Sequence, residues 1–187
     1  MRWRHLGVNK AAMADPPSPA YSEPDPPNAA EAAALLNEAW RDPDWGLLLW
    51  LTMITGSRRG EVSALRWHHI EFEREVVWLD RSSAQPKSGL KEKETKQRQR
   101  RKISLDPETL ALLKAHRDIW AERCASIGLE LSPDAFVFSP APDGSKPYAP
   151  RSLTQRYRRM AQKIGLRSTR LHSLRHYSAT PARGRRC

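Results

Sequence analysis

The sequence has few cysteines and no long hydrophobic run. Only two cysteines occur among its 187 residues, Cys124 and Cys187, so neither a disulfide framework nor a cysteine-based zinc site can be built from them. The longest apolar run, residues 45–54, is far shorter than the roughly 20 residues that a membrane-spanning helix needs. The first ten residues include two arginines but lack the apolar stretch of a signal peptide. These absences predict a chain that lies outside the membrane, in the reducing cytoplasm.

Acidic residues are outnumbered, with 21 Asp and Glu against 32 Lys and Arg, so the net charge is +11. The positive charge is concentrated in residues 81–104 and 146–187, and the second of these segments contains no acidic residue. Such blocks are typical of proteins that bind nucleic acid, although a solvated basic surface is the alternative. Within the two segments, the arginines that we expect to contact DNA are Arg98, Arg100, Arg101, Arg151 and Arg156.

The chain divides into four segments by composition. Residues 16–27 contain six prolines and no Leu, Ile or Val, which predicts an extended linker. Residues 1–15 are too short to form a domain, and we interpret them as the remnant of a preceding N-terminal region. Residues 28–180 form the predicted domain. Residues 181–187 are a basic tail that begins with a proline, which is not the continuation expected of a helix.

Helical patterns dominate the predicted domain. Apolar spacing, caps and glycine stops predict helices at about residues 29–40, 45–55, from 59, 107–128, 150–164 and from 172. Extended patterns predict strands at residues 76–79 and 102–105, a second strand with exposed turns within 82–101, and a short extended piece at 136–139. The predicted fold class is therefore mainly α with one small antiparallel β-sheet (α+β).

Two basic residues occur in settings where a simple surface charge is unusual. Arg58 lies at the predicted start of a helix, two residues after Gly56, where its guanidinium and free backbone amides can face a phosphate. Glu61, one turn later, can hold that guanidinium, and the alternative is an ion pair that only stabilises the helix end. Lys96 lies near the tip of the predicted hairpin, where it can give a proton to a leaving alkoxide or be an ordinary exposed lysine.

Residues 171–180 combine two histidines with an arginine. His172 and Arg175 are three residues apart, which places them on one face of a helix. His172 and His176 are four residues apart, a spacing that can seat a metal. No carboxylate occurs after Asp143, however, so we expect no metal here. The alternative for His176 is a packing or solvent-exposed side chain.

Taken together, these stretches resemble the catalytic domain of the tyrosine recombinases, the phage integrase family. The family pattern is a Gly-x-Arg-x-x-Glu box, a lysine on a β-hairpin, and a His-x-x-Arg-His box well downstream, in that order. The matching residues are Gly56, Arg58, Glu61, Lys96, His172, Arg175 and His176. Glu61 and His176 correspond to supporting residues. The resemblance runs from about residue 29 to residue 180, and the joint match of order and spacing makes it specific.

The resemblance implies an enzyme that cuts a DNA strand by attack of a tyrosine on the scissile phosphate and reseals it to another strand, without a cofactor. It implies that Arg58 and Arg175 bind the phosphate. It also implies that Lys96 is the general acid for the 5′-oxygen and that His172 assists proton transfer. Protein cations would neutralise the charge that develops on the phosphoryl oxygens. The implied partners are double-stranded DNA and other recombinase protomers.

The sequence departs from the family pattern at both ends. Residues 1–15 alone could correspond to the N-terminal core-binding domain, and 12 residues follow Arg175, where the family has its last box and its nucleophilic tyrosine. We therefore expect a truncated, marginally stable recombinase that keeps its phosphate-binding residues, lacks its nucleophile and is inactive alone. Tyr177 is expected to pack rather than to attack phosphate. Linker or packing positions are expected for Tyr21, Tyr148 and Tyr157.

Two further functions compete with this prediction. The first is a non-catalytic DNA-binding module that uses the same basic surface, for example a regulator at recombination sites. The second is an unrelated RNA-binding domain, which is disfavoured because the sequence has no RNP-like, KH-like or zinc-knuckle signature.

Overall fold

The computed structural model describes residues 26–84, 91–94 and 100–179. The helices are α1 Ala29–Ala39, α2 Pro43–Thr55, α3 Arg59–Ser63, α4 Pro107–Ala125, α5 Pro150–Lys163 and α6 Leu174–Ala179. The strands are β1 Ile70–Glu71, β2 Val76–Leu79, β3 Arg81–Ala84, β4 Lys91–Glu94 and β5 Arg101–Ser104. Two short 3-10 turns cover Trp67–His69 and Leu171–Ser173. The predicted N-terminal remnant, most of the proline-rich linker and the basic tail lie outside the described residues.

Local capping signals start two of the long helices where the sequence predicts them. Asn28 caps α1: its side chain accepts a hydrogen bond from the backbone N–H of Glu31 at 2.9 Å, and the Glu31 carboxylate accepts one from the Asn28 N–H at 2.8 Å. Asp106 caps α4 by accepting from the backbone N–H of Thr109 at 2.9 Å, with Pro107 as the first helical residue. Both N-termini therefore confirm the prediction.

The break between α2 and α3 sets up the first predicted motif. Gly56 ends α2 in the left-handed conformation, with φ 58°, which costs glycine little because it has no Cβ. The chain turns there, and Arg58 becomes the N-terminal flanking residue of α3. The third helix begins at Arg59, as predicted, and ends at Ser63. Leu65 is buried in the segment that follows it.

The mainly α fold with a small antiparallel sheet is confirmed, and two further strands form a separate hairpin. β1, β2 and β5 make a three-stranded antiparallel sheet, with Val77 opposite Ile103. β3 and β4 make a separate antiparallel hairpin, with Ser82 opposite Lys93. This hairpin packs on α3 instead of extending the sheet, because Gly60 leaves room for the backbone of Ser83 to approach the helix. Residues 136–139, predicted as extended, make a single antiparallel bridge between residues 136 and 66.

The core lies between α2 and the helices that surround it. α2 is buried nearly all round, as its apolar sequence predicts, with Leu47, Leu49 and Leu51 each at most 2% exposed. Leu174 of α6 is fully buried, which contributes roughly 1.5–3 kcal/mol and holds the C-terminal helix on the core. Within the described part of the chain, no helix combines the length and the apolar character needed to cross a membrane.

Candidate functional site

Arg58 and Glu61 form the predicted pair at the start of α3. The Arg58 guanidinium donates to Glu61 Oε1 at 2.9 Å, and the Arg58 backbone N–H donates to Oε2 at 2.8 Å. The Glu61 side chain is 1% exposed, whereas that of Arg58 is 60% exposed. The carboxylate is therefore a buried anchor, and the guanidinium that it holds still faces solvent.

A second arginine reaches the same carboxylate. Arg101, on β5, donates from Nη2 to Glu61 Oε2 at 2.5 Å and is 33% exposed. The sequence analysis predicted Arg101 as a DNA contact and missed this ion pair, because forty residues separate the two partners. Glu61 thus fixes two cations and ties β5 to α3.

Arg175 and His172 come from the far end of the described chain to the same place. Arg175, in the first turn of α6, donates from Nε to the carbonyl of Gly56 at 2.8 Å, at the negative end of α2. Burial and, next in size, the positive charge of Arg58 lower the pKa of Arg175, while Glu61 opposes this shift. His172 lies one turn earlier, in the 3-10 turn that leads into α6. Two of the predicted boxes therefore meet in space.

Arg58, His172 and Arg175 line a cavity of about 630 Å³ between α2, α3, α5 and the turn before α6. Its lining residues are Thr52, Ser57, Arg58, Arg59, Thr154, Arg158, Thr169, Arg170, Leu171, His172 and Arg175. The lining has five arginines and, among the described residues, no acidic side chain. An arrangement of this kind produces a strongly positive potential and favours an anionic ligand.

Three of the five cavity arginines were missed by the sequence analysis: Arg59, Arg158 and Arg170. For Arg158 the sequence offers one indication of its position, since Arg158 follows Thr154 by four residues and therefore lies on the same face of α5. Arg59 and Arg170 adjoin the two recognised boxes. Nothing in the sequence distinguishes these two arginines from the other exposed arginines, because a basic chain has many of them near its motifs.

The predicted DNA contacts on other elements lie outside this cavity. Arg100 stacks over the Trp78 ring at 4.0 Å, and Arg156 donates to Asp42 at 2.6 Å while lying over the Trp45 ring. Arg151 is exposed in the first turn of α5. DNA contact by these arginines, and by Arg101, stays a prediction. Lys96 and Arg98, and the side chain of His176, lie outside the described residues.

The tyrosines in the described residues do not line the cavity. Tyr157 is fully buried, and burial raises its pKa to about 12. Tyr148 is half-buried, and burial raises its pKa as well. Tyr177 is 37% exposed on α6. Tyr21 lies outside the described residues. That the nucleophile is missing stays a prediction.

Across the described residues, no group of three or more His, Cys, Asp or Glu side chains lies close enough to hold a metal ion.

Comparison with known proteins gives a family match and several structural matches. The chain matches the phage integrase family over residues 30–181. No curated protein matches it.

Among solved structures, the integrase of transposon Tn1549 in complex with transposon right end DNA gives a TM-score of 0.68 at 16% identity, covering 95% of this chain and 58% of that chain. A lambda integrase dimer bound to a COC′ core site gives 0.59 at 18% identity, covering 94% of this chain and 56% of that chain. XerA recombinase gives 0.61 at 17% identity, covering 86% and 51%. This chain thus spans little more than half the length of the structures that it matches.

Proposed function

The chain belongs to the phage integrase family, and on this basis we propose that it acts in site-specific DNA recombination by tyrosine-recombinase chemistry. The observation that carries the proposal is the cavity where Arg58, Arg175 and His172 meet from two distant parts of the chain. Its lining has five arginines and no acidic residue among the described ones. Its ligand in this proposal is the phosphate backbone of double-stranded DNA, whose charge these arginines complement.

The basic residues that match the family boxes each have a part in the proposed strand cleavage. Arg58 and Arg175 bind the non-bridging oxygens of the scissile phosphate and neutralise the charge that develops there. A tyrosine oxygen attacks phosphorus and forms the 3′-phosphotyrosyl bond, while the bond from phosphorus to the 5′-oxygen breaks. Lys96 gives its proton to that 5′-oxygen, and His172 assists proton transfer. In rejoining, the 5′-hydroxyl of another strand attacks phosphorus and releases the tyrosine.

The contacts of both arginines support pre-organised binding. Glu61 holds Arg58 by one guanidinium nitrogen, and the carbonyl of Gly56 holds Arg175 by Nε. The Arg58 side chain is 60% exposed, so its other guanidinium nitrogens can reach phosphate oxygens from a fixed position. Because these arginines are positioned before DNA binds, little side-chain entropy is lost on binding.

The source of the attacking tyrosine is a separate part of the proposal. Since the tyrosines among the described residues do not line the cavity, we assign the nucleophile to a segment outside residues 26–179 or to another recombinase protomer. The same observation favours a second candidate, a non-catalytic DNA-binding module at recombination sites. The two candidates differ in whether a covalent protein–DNA link ever forms.

DNA binding is tested with a fluorescein-labelled duplex and fluorescence anisotropy over a series of salt concentrations. Arg58→Ala and Arg175→Ala each remove one phosphate contact, so affinity falls and the salt slope decreases by about one. Arg159→Ala is the matched control, because it removes an exposed arginine of α5 that does not line the cavity. Equal losses in all three variants would show that binding depends on general charge and would refute the assignment of the cavity.

Strand cleavage is tested with a nicked suicide duplex that carries the attachment site. A covalent band on a denaturing gel that is lost in Arg58→Ala supports the recombinase. Salt-sensitive binding without such a band, for the chain alone and with an added full-length recombinase protomer, supports the DNA-binding module.

A further inference from the structure

Three cavity arginines are left over after the proposed scissile phosphate has been bound. Arg59, Arg158 and Arg170 line the same cavity as Arg58 and Arg175, but none of the three pairs with a carboxylate in the described part of the chain. Arg158 and Arg170 are exposed. An arginine that is gathered with others in a cavity and lacks an acidic partner experiences repulsion that an anion would relieve.

Arg59 contacts α5, whereas its neighbour Arg58 contacts Glu61. Adjacent residues on a helix point in different directions, and here Arg58 donates to Glu61 while Arg59 donates to Thr154 Oγ1 on α5 at 3.0 Å. Thr154 and Arg158 share one face of α5 at i and i+4. We call Arg59, Thr154, Arg158 and Arg170 the flanking cluster. It lies between α3, α5 and the turn before α6.

A buried hydroxyl also indicates an anionic ligand in this cavity. Ser57 is 2% exposed and lines the cavity, yet its Oγ has no hydrogen-bond partner among the described residues. A buried hydroxyl that is left unpaired costs free energy, and a phosphate oxygen would accept its hydrogen bond. The cavity thus offers further hydrogen-bond donors beside Arg58 and Arg175, from Ser57 and from the flanking cluster.

We propose that the cavity binds two consecutive phosphates of one DNA strand, the reacting one at Arg58 and Arg175 and its neighbour at the flanking cluster. This inference rests on the proposed function, because it takes a nucleic acid strand as the ligand. The strand supplies the second phosphate at a fixed distance from the first, so binding at the flanking cluster places the reacting phosphate. Arg158 and Arg170 are thus positioning residues for the strand.

Short thymidine oligonucleotides test this without knowledge of the recombination site. The probes are TpT with one phosphate, TpTpT with two, and TpTpT in which one phosphate is replaced by an uncharged methylphosphonate. Dissociation constants come from NMR titrations of the whole chain. We expect TpTpT to bind about tenfold more tightly than TpT, because a second charge-assisted contact is made. The methylphosphonate probe should lose most of that gain.

Variants locate the second phosphate. Arg158→Gln and Arg170→Gln should reduce the gain from TpT to TpTpT to about twofold, the statistical factor expected when either phosphate of TpTpT can occupy a single site. Arg158→Lys should restore part of the gain, and the control Arg159→Gln should keep all of it. Unchanged amide spectra in each variant show that the fold is intact.

The outcomes separate this inference from the proposed function. If TpT binds in an Arg58-dependent manner but TpTpT gains nothing beyond this statistical factor, the flanking site is overturned and the DNA-binding proposal stands. A gain that persists in Arg158→Gln and Arg170→Gln would also overturn it. If neither oligonucleotide nor duplex DNA binds, both proposals fail.

Discussion

Replacement of Glu61 by glutamine tests whether one buried carboxylate holds Arg58, the proposed phosphate-binding arginine, in place. In the folded chain, Glu61 accepts hydrogen bonds from the Arg58 backbone N–H, the Arg58 guanidinium and the Arg101 guanidinium. Glutamine keeps the shape and one acceptor oxygen, but it removes the negative charge and turns an amide N–H₂ toward one guanidinium. Arg58, Arg101 and Arg175 then repel one another without compensation.

The magnitude follows from burial. Removing one partner of a buried ion pair costs about 3–5 kcal/mol. Because the Arg58 and Arg101 side chains stay 60% and 33% exposed, water screens part of the repulsion. We therefore expect the free energy of unfolding to fall by about 2 kcal/mol, which lowers the melting temperature of a domain of this size by roughly 4–8 °C.

Affinity for phosphate gives a second test of the same variant, in which the charge change and the loss of the anchor have opposite expected effects. Glu61→Gln raises the net charge by one, so long-range electrostatics alone would strengthen DNA binding. Loss of the anchor instead leaves Arg58 free to adopt several rotamers, and we expect affinity for TpT to fall by about threefold to tenfold. The control Glu122→Gln makes the same charge change at an exposed position of α4. A Glu61→Gln protein that melts with the wild type and binds TpT at least as tightly would refute the reasoning.

Two further predictions concern stability. Burial lowers the pKa of His116 below its usual 6.5, and the His116 Nε2 atom lies 2.9 Å from the Val137 carbonyl oxygen. As the pH falls below about 6.5, His116 takes up a proton more readily in the unfolded chain than in the folded chain. The free energy of unfolding should therefore drop between pH 7 and pH 5. Urea titrations should show a shallower drop for His116→Gln, and parallel curves would contradict this. In Gly60→Ala, the new Cβ would lie 2.6 Å from the Ser83 carbonyl oxygen, so the β3–β4 hairpin must shift. We expect a loss of about 1–3 kcal/mol and faster amide exchange in the hairpin, whereas wild-type melting and exchange would show that the hairpin does not pack closely on α3.

The helix ends were predictable because their signals are local. The Asn28–Glu31 capping box, the Asp106–Pro107 start and the Gly56 stop each depend on residues within one turn of each other. The Arg58–Glu61 pair was predictable for the same reason. Each of these contacts forms whenever the segment is helical, whatever packs against it.

Long-range placement explains what the sequence analysis missed. The separate β3–β4 hairpin was not foreseen, because the pattern of residues 76–105 does not show that this hairpin lies on α3. Arg101 was predicted as a DNA contact, and its ion pair with Glu61 was not foreseen. Arg158 and Arg170 were also left among many exposed basic residues.

The sequence by itself determined the mainly α fold class, the family and the order of the boxes around Arg58 and His172, since periodicity, caps and motif spacing are properties of neighbouring residues. Tertiary structure alone decided which arginines share a cavity and which share a carboxylate. The packing of α6 on α2 brings Arg175 to the carbonyl of Gly56, more than a hundred residues away in the chain. Such contacts depend on how the buried faces of distant elements pack, and a local sequence pattern carries no information about which distant residues meet.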